Sequence, residues 1–572
     1  MKKVLSNLKD YKKECILSPL FKMAEASIEL FVPLVVKQII DVGINENAGK
    51  TYIFKMGGML ALLAVIGLIF AVCAQYFAAK AAVCFSKKVR QGLYEHIQDF
   101  SYNEINDIGT STLVTRLTND VSQAQNGVNM FLRLLLRSPF VVFGAMIMAF
   151  TVNVRAALIF VVVIPMLFIV VFFIMYKTLG LYTLVQKKLD KVLLSVRENV
   201  MGVRTIRAFN REEVEKDTFT ERNDDLYDTQ MKVGSLSSYM NPLTYVIINM
   251  GIIYIIYQGG VRVNIGELTQ GEVVALINYM SQILIEVVKL ANLIITCTKA
   301  MACMNRIEEI LDVKPTVENG DKDIEDIRDI EFENVSLKYN ETGEPAISNI
   351  SFKVNTGETI GIIGGTGSGK SSVINMVGRF YDACEGCVKI NGLDVKEYNK
   401  YKLRSLIGMV PQKAVLFKGT VADNLCLGKK NISDENMMRA LDIAMAKDFV
   451  MAKEGLYGEV EQGGKNFSGG QRQRLTIARA LTGDPKVVIL DDSSSALDYA
   501  TDAKLRKAIH DNLKDIIVFI VSQRVASVRS ADRIIVMDDG EIKDVGSHDY
   551  LMDNCEEYRE IYYSQNEDKG GK

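Results

Sequence analysis

Histidine is nearly missing from this chain: there are three in 572 residues, His96, His510 and His548, none adjacent to a cysteine or another histidine. A His/Cys metal centre therefore lacks its ligands. Nine cysteines are scattered without the spacing of a disulfide framework. The lone CxxC, Cys384-Glu385-Gly386-Cys387, has no second pair beside it and sits in a short Gly-containing turn between predicted strands. Chance spacing accounts for it better than a redox pair or half a zinc site. A basic excess is missing too. The 67 Lys+Arg and 69 Asp+Glu leave a net charge of −2, which excludes nucleic acid as an expected partner. The stretch from Met1 to Lys13 mixes lysines with apolar residues but has no signal-peptide core or small-residue cleavage site. It reads as an amphipathic segment on the cytoplasmic membrane surface, or as a solvated terminus.

What is present is hydrophobic length. Apolar residues make up 48% of the chain while 24% are charged, as expected of a membrane half joined to a soluble half. Six runs are predicted to span a bilayer: 16–40, 56–78, 134–154, 156–176, 236–257 and 273–295. Each is near the ~20 residues needed to cross as a helix. A tight link at Arg155 divides the third from the fourth. Lys87, Lys88, Arg90 and Arg116 lie between spans two and three; Lys187, Lys188, Lys191, Arg197, Arg204, Arg207, Arg211 and Lys216 lie between four and five. The opposite connections hold only Lys50, Lys55, Arg155 and Arg262. The long basic segments and both termini are therefore expected in the cytoplasm.

Those segments are too long for simple loops and show helical periodicity. Leu113–Val121 and Gly202–Phe209 stand out as candidate docking turns. Glu25, Glu29, Gln75, Arg133, Arg137, Glu286 and Lys289 fall in or near spans, where charge requires a polar interior or an ion-pair partner. Glu286 and Lys289, at i and i+3, are candidates to pair. Pro33, Pro165 and Pro242 are candidate kinks.

A charged linker over 313–329 ends the membrane domain, 1–312, and 330–572 reads as a soluble α/β domain. Its strand Glu358–Ile363 runs into Gly364-Gly365-Thr366-Gly367-Ser368-Gly369-Lys370-Ser371, followed by a helix from Ser372. Strand, GxxxxGKS and helix is the context of a phosphate-binding loop. Its glycines let backbone N–H groups converge on phosphates at a helix N-terminus. Lys370 is placed to reach the β- and γ-phosphates, Ser371 to ligate Mg²⁺, and Asp491, ending the apolar strand from Val487, to hold that ion through water.

The choice among nucleotide-binding families rests on Asn466-Phe467-Ser468-Gly469-Gly470-Gln471, which resembles the LSGGQ signature of ABC ATPases. Tyr339 matches the adenine-stacking aromatic, Gln412 the Q-loop with its Mg²⁺ contact, and Ser495-Ala496-Leu497-Asp498 the D-loop. Six spans followed by this domain resemble an ABC exporter half-transporter along the whole chain. The resemblance implies two ATPase domains enclosing two ATP–Mg²⁺, with Ser468, Gly469, Gly470 and Gln471 acting on the nucleotide of the partner chain. It also implies coupling helices near Asn106–Ser111 and Gly202–Arg211.

Two positions depart from that family. Active members carry Glu after the Walker B aspartate; here Asp492 withdraws the carboxylate by about 1.5 Å. The switch histidine is replaced by Gln523, which can donate a hydrogen bond but carries no charge. The resemblance then implies the degenerate-site subunit of a heterodimeric bacterial multidrug exporter in the plasma membrane, carrying hydrophobic or amphiphilic compounds. The alternatives are an ATP-gated regulatory or channel-like subunit and a homodimeric lipid or peptide exporter.

Overall fold

The computed structural model describes residues 2–46, 48–339, 343–429, 431–493 and 497–566. It comprises two compact units, one of residues 1–98 and 111–313, the other of 99–110 and 314–572.

The first unit is helical. Five described stretches are long and apolar enough to cross a membrane: Lys50–Gln98, Thr110–Val152, Val154–Ala208, Glu212–Asn264 and Gln270–Asp312. At 49 residues, the first is about 70 Å long, more than twice the ~30 Å hydrocarbon core, so much of it lies outside the bilayer. The helix Lys12–Gln38 is also long enough, at 27 residues, but carries Lys22, Glu25 and Glu29. Those charges are answered within the unit. Lys22 pairs with Glu25 at 2.5 Å, and Arg137 reaches Glu29 at 2.6 Å and Glu286 at 2.8 Å. Ser138 also donates to Glu286, at 2.9 Å, and Lys289 joins it at 2.8 Å. Three cations and three anions thus form one neutral cluster across three helices, the condition under which charge is tolerated at membrane depth.

Helix breaks have local causes. The link between the third and fourth spans falls at Asn153, not Arg155. Asn153 is extended (φ −160°, ψ 122°) and its side chain accepts from Ala156 N–H, capping Val154–Met201. Arg155 lies inside that helix. The third span is itself interrupted at 135–136, because Pro139 has no N–H to offer the carbonyl four residues earlier. Pro242 likewise falls in the first turn of Met240–Asn264, whereas Pro33 and Pro165 lie inside long helices that continue past them. Leu113–Val121 is not a turn. It continues into Val121–Leu134, and its buried Asp120 takes a two-point contact from Arg306 at 2.6 and 3.0 Å.

The second unit is built on a six-stranded sheet ordered 541–546, 533–538, 359–364, 517–521, 487–491, 407–410, parallel except for its first strand. Its inner strands are buried on both faces, as in Val487–Asp491, which explains their unbroken apolar runs, while the edge strand 541–546 is polar and partly exposed. A four-stranded sheet, partly formed by Asp329–Leu337 and Ile347–Asn355, packs beside it; there Phe332 stacks on Phe352 with ring centres 4.5 Å apart. The short helix Tyr102–Ile108 belongs to this unit, although both flanking segments belong to the other.

Candidate functional site

Three neighbouring parallel strands end together: Thr359–Gly364, Ile517–Val521 and Val487–Asp491, with Val521 in register with both Ile362 and Asp491. Ligands of open α/β sheets bind beyond such carboxyl ends. Gly364–Lys370, Ser522–Gln523 and Asp491–Asp492 are therefore brought side by side.

The loop from Gly364 is shaped by its glycines. A Cβ at Gly364 would stand 2.1 Å from the Met537 carbonyl, whereas one at Gly365 or Gly367 would meet nothing within 4 Å. Gly367 and Gly369 hold left-handed φ of 86° and 92°, a conformation glycine adopts without strain. Thr366 lies between these open positions, and Ser368 is buried. The helix Lys370–Val377 starts directly after Gly369, presenting unpaired backbone donors.

Buried Lys370 donates to the carbonyls of Gly364 and Gly365 and, at 3.3 Å, to Ser368 Oγ. Burial holds its ammonium below the ordinary lysine range. Ser371 Oγ donates to the Asp491 carboxylate at 3.1–3.2 Å. Burial pushes Asp491 above the ordinary aspartate range; the neighbouring Asp492 adds to this, while Ser371 and Lys370 oppose it. A buried lysine, a hydroxyl against a buried carboxylate and an open glycine loop at a helix start form a donor set that fits a polyphosphate with a hard divalent cation.

Tyr339 is exposed, and its hydroxyl lies 2.7 Å from Ser372 Oγ. Its ring meets the edge of Tyr381 at 5.0 Å. Tyr381 in turn meets Tyr102 at 6.0 Å, and Tyr102 stacks on Phe380 at 4.8 Å with the rings 2° from parallel. An aromatic series thus runs from the phosphate loop to the helix Tyr102–Ile108. No spacing in the sequence announced it, since Tyr102 is remote in the chain and tyrosines are common.

Asp492 takes a left-handed φ of 44°, and its N–H donates to the Val521 carbonyl at 2.9 Å. Gln523 is exposed; its carbonyl accepts from Gln565 Nε2 at 2.7 Å, and Gln565 Oε1 accepts from Val525 N–H at 3.0 Å. Gln565, on the C-terminal helix Glu556–Asn566, therefore fixes the loop after Val521, a role that sequence reasoning missed. Gln412 is exposed in a loop following the strand Ile407–Val410.

The signature is apart from these groups in character. Ser468 caps the helix Gly469–Leu481: its Oγ accepts from Gln471 N–H at 3.3 Å, and its own N–H donates to Gln471 Oε1 at 3.0 Å. Ser468 and Gly469 are exposed and Gly470 half-buried. Asp498 caps the following helix by accepting from Thr501 N–H at 2.9 Å; Ser495 and Ala496 of the expected D-loop lie outside the described residues. The thiols of Cys384 and Cys387 are free.

Site and fold together define a nucleotide-binding domain joined to a helical membrane domain. Family models agree: residues 15–287 match the ABC transporter transmembrane region, and 347–495 the ABC transporter domain. The chain is 34% identical over 571 residues to YfiB of Bacillus subtilis, an uncharacterized ABC transporter ATP-binding protein, covering 99% of this chain and 98% of that one. It is 30% identical to YgaD of the same organism, a putative multidrug export ATP-binding/permease protein, over 99% of each chain. Its fold matches a bacterial Atm1-family ABC exporter with ATP bound, with a TM-score of 0.80 at 20% identity over 98% of both chains. The chain belongs to the ABC transporter family: it is a half-transporter of exporter fold, a membrane-spanning transport ATPase with both domains on one polypeptide.

Proposed function

We propose that this chain is the weakly hydrolysing half of a heterodimeric exporter of hydrophobic or amphiphilic compounds. Its own phosphate loop holds ATP–Mg²⁺ over many cycles, while Ser468, Gly469, Gly470 and Gln471 complete the competent site on a second, different half-transporter. The observation that carries this reading is the conjunction of Asp492 and Gln523. They follow adjacent strand ends at one site, and both depart from the groups that position and activate water in the family.

Within the site, Lys370 serves the phosphates, and Ser371, Asp491 and Gln412 serve the magnesium ion, which when bound neutralises phosphate charge. Tyr339 supplies the adenine-stacking face, and Ser372 fixes that tyrosine to the loop. Asp492, one methylene short, orients water poorly. Gln523 donates a neutral hydrogen bond where an imidazole would act. The signature's exposure supports action on another chain, because Ser468 and Gly469 are left open to a second surface. ATP-dependent closure of the two ATPase domains drives the membrane helices to their outward-open state by binding that state more tightly.

Positioning a general base contributes about 10²–10⁴ in rate. Asp492→Glu combined with Gln523→His should therefore raise hydrolysis at this chain's own site by ~10²-fold in the assembled transporter, measured with the partner's site inactivated. Unchanged turnover would show that other groups limit the site and would remove the reading.

A further inference from the structure

The membrane unit has a cavity of its own, remote in sequence from the phosphate loop. A cavity of about 660 Å³ opens between the N-terminal segment and the helices Val121–Leu134 and Gln270–Asp312, a volume typical of small-molecule sites (~300–1,000 Å³). Its wall is apolar: Leu8, Ile16, Phe131, Cys297 and Met301 contribute, and the charged groups on it are Lys9 and Lys12.

Those two lysines are left over from the local ion pairing. Asp10 is taken by Lys88 and Glu14 by Lys80. Asp312 is taken by the side chain of Lys3, whose backbone N–H also donates to Glu308. No carboxylate among the described residues pairs with Lys9 or Lys12, and both are exposed. Two free ammonium groups at the mouth of an apolar cavity select a ligand with an anionic head and an aliphatic body. A neutral apolar helix from another chain would fill the cavity but leave both charges unanswered.

We propose that this cavity holds an anionic bilayer phospholipid, one acyl chain inside and its phosphate between Lys9 and Lys12. The segment from Lys2 to Lys13 carries further lysines and runs into the helix Lys12–Gln38, where a basic amphipathic stretch meets the anionic membrane surface. The lipid pins that segment to the two helices and remains in place through the transport cycle. This site is independent of how hydrolysis is divided between subunits.

The test uses the assembled transporter in nanodiscs of mixed phosphatidylglycerol and phosphatidylcholine, transferred to detergent and weighed by native mass spectrometry. One retained phosphatidylglycerol per copy of this chain is expected, with preference over phosphatidylcholine. Each lysine near an anionic surface is worth about fivefold, so Lys9→Gln with Lys12→Gln should cut that preference about thirtyfold while some neutral lipid is still retained. Cys297→Trp, whose indole intrudes on the apolar wall and spares the lysines, should weaken retention of both lipids. Retained assembly with the partner chain, through the membrane unit, shows that each variant has folded. Equal retention of the two lipids by the unaltered protein, no retention because another chain covers the cavity, or release of the lipid during ATP turnover, as cargo would behave, would each overturn the assignment.

Discussion

The phosphate loop and the signature are both glycine- and serine-rich turns that open helices, yet they are built in opposite ways. The phosphate loop is braced from within: Lys370 on its own carbonyls, Ser371 on Asp491, and Gly364 against the Met537 carbonyl. In the signature, Asn466 and Phe467 are held by Lys453, Glu459 and Arg472, whereas the Ser468–Gln471 pair caps itself reciprocally and leaves Ser468 and Gly469 exposed. In the proposed division of labour, the braced loop serves this chain's own nucleotide and the exposed serine and glycine serve the nucleotide of a second chain. Asp492 and Gln523, the two departures on which the proposal rests, lie at strand ends beside the first loop and outside the second.

The sharpest way to break that contrast is Ser468→Arg. Removing one preorganised donor to a developing charge costs about 10²–10³ in rate, so ATPase activity of the assembled transporter should fall at least that far. Nucleotide affinity at this chain's own phosphate loop, measured with the partner's loop inactivated, should stay within threefold. Loss of affinity here instead would place the signature on its own chain's nucleotide.

A smaller effect concerns the aromatic series. The chain contains no tryptophan, so Tyr102→Trp gives a single reporter on the helix Tyr102–Ile108. Its emission should shift when ATP–Mg²⁺ binds. Adding Tyr381→Leu should abolish the shift with little change in affinity, because Tyr381 stands between Tyr339 and residue 102. A persisting shift would route the signal elsewhere.

The smallest effect is thermal. Asp491 has its carboxyl raised by burial. A carboxyl whose folded value lies above its unfolded value costs stability when ionised, and the cost is relieved as pH falls through the raised value. Asp491→Asn should therefore raise the nucleotide-free melting temperature at neutral pH by about 2 °C or more. The gain should shrink on acidification, while Mg²⁺-dependent nucleotide binding is lost at every pH.

The motifs were legible because each is contiguous: strand, glycine loop and helix occupy one stretch, and the signature serine and its capping glutamine are three residues apart. The long apolar runs were legible for a similar reason, since bilayer thickness sets their length. Arg137 meeting Glu29 and Glu286 was not legible beyond the oddity of charge inside spans, because the pairing is made by three helices distant in sequence. Gln565 and Tyr102 carry no local signature, and only the folded chain brings them to Gln523 and Tyr381. Asn153 and Pro139 were readable in principle, as a cap and a missing donor, but the bulk and charge of Arg155 drew the boundary two residues away.

The most direct measurement is photoaffinity trapping of a radiolabelled azido-ATP in the assembled, turning-over transporter, scoring which chain is labelled and whether its nucleotide is triphosphate or diphosphate. The account predicts triphosphate on this chain and diphosphate on its partner. Equal diphosphate on both chains would contradict it.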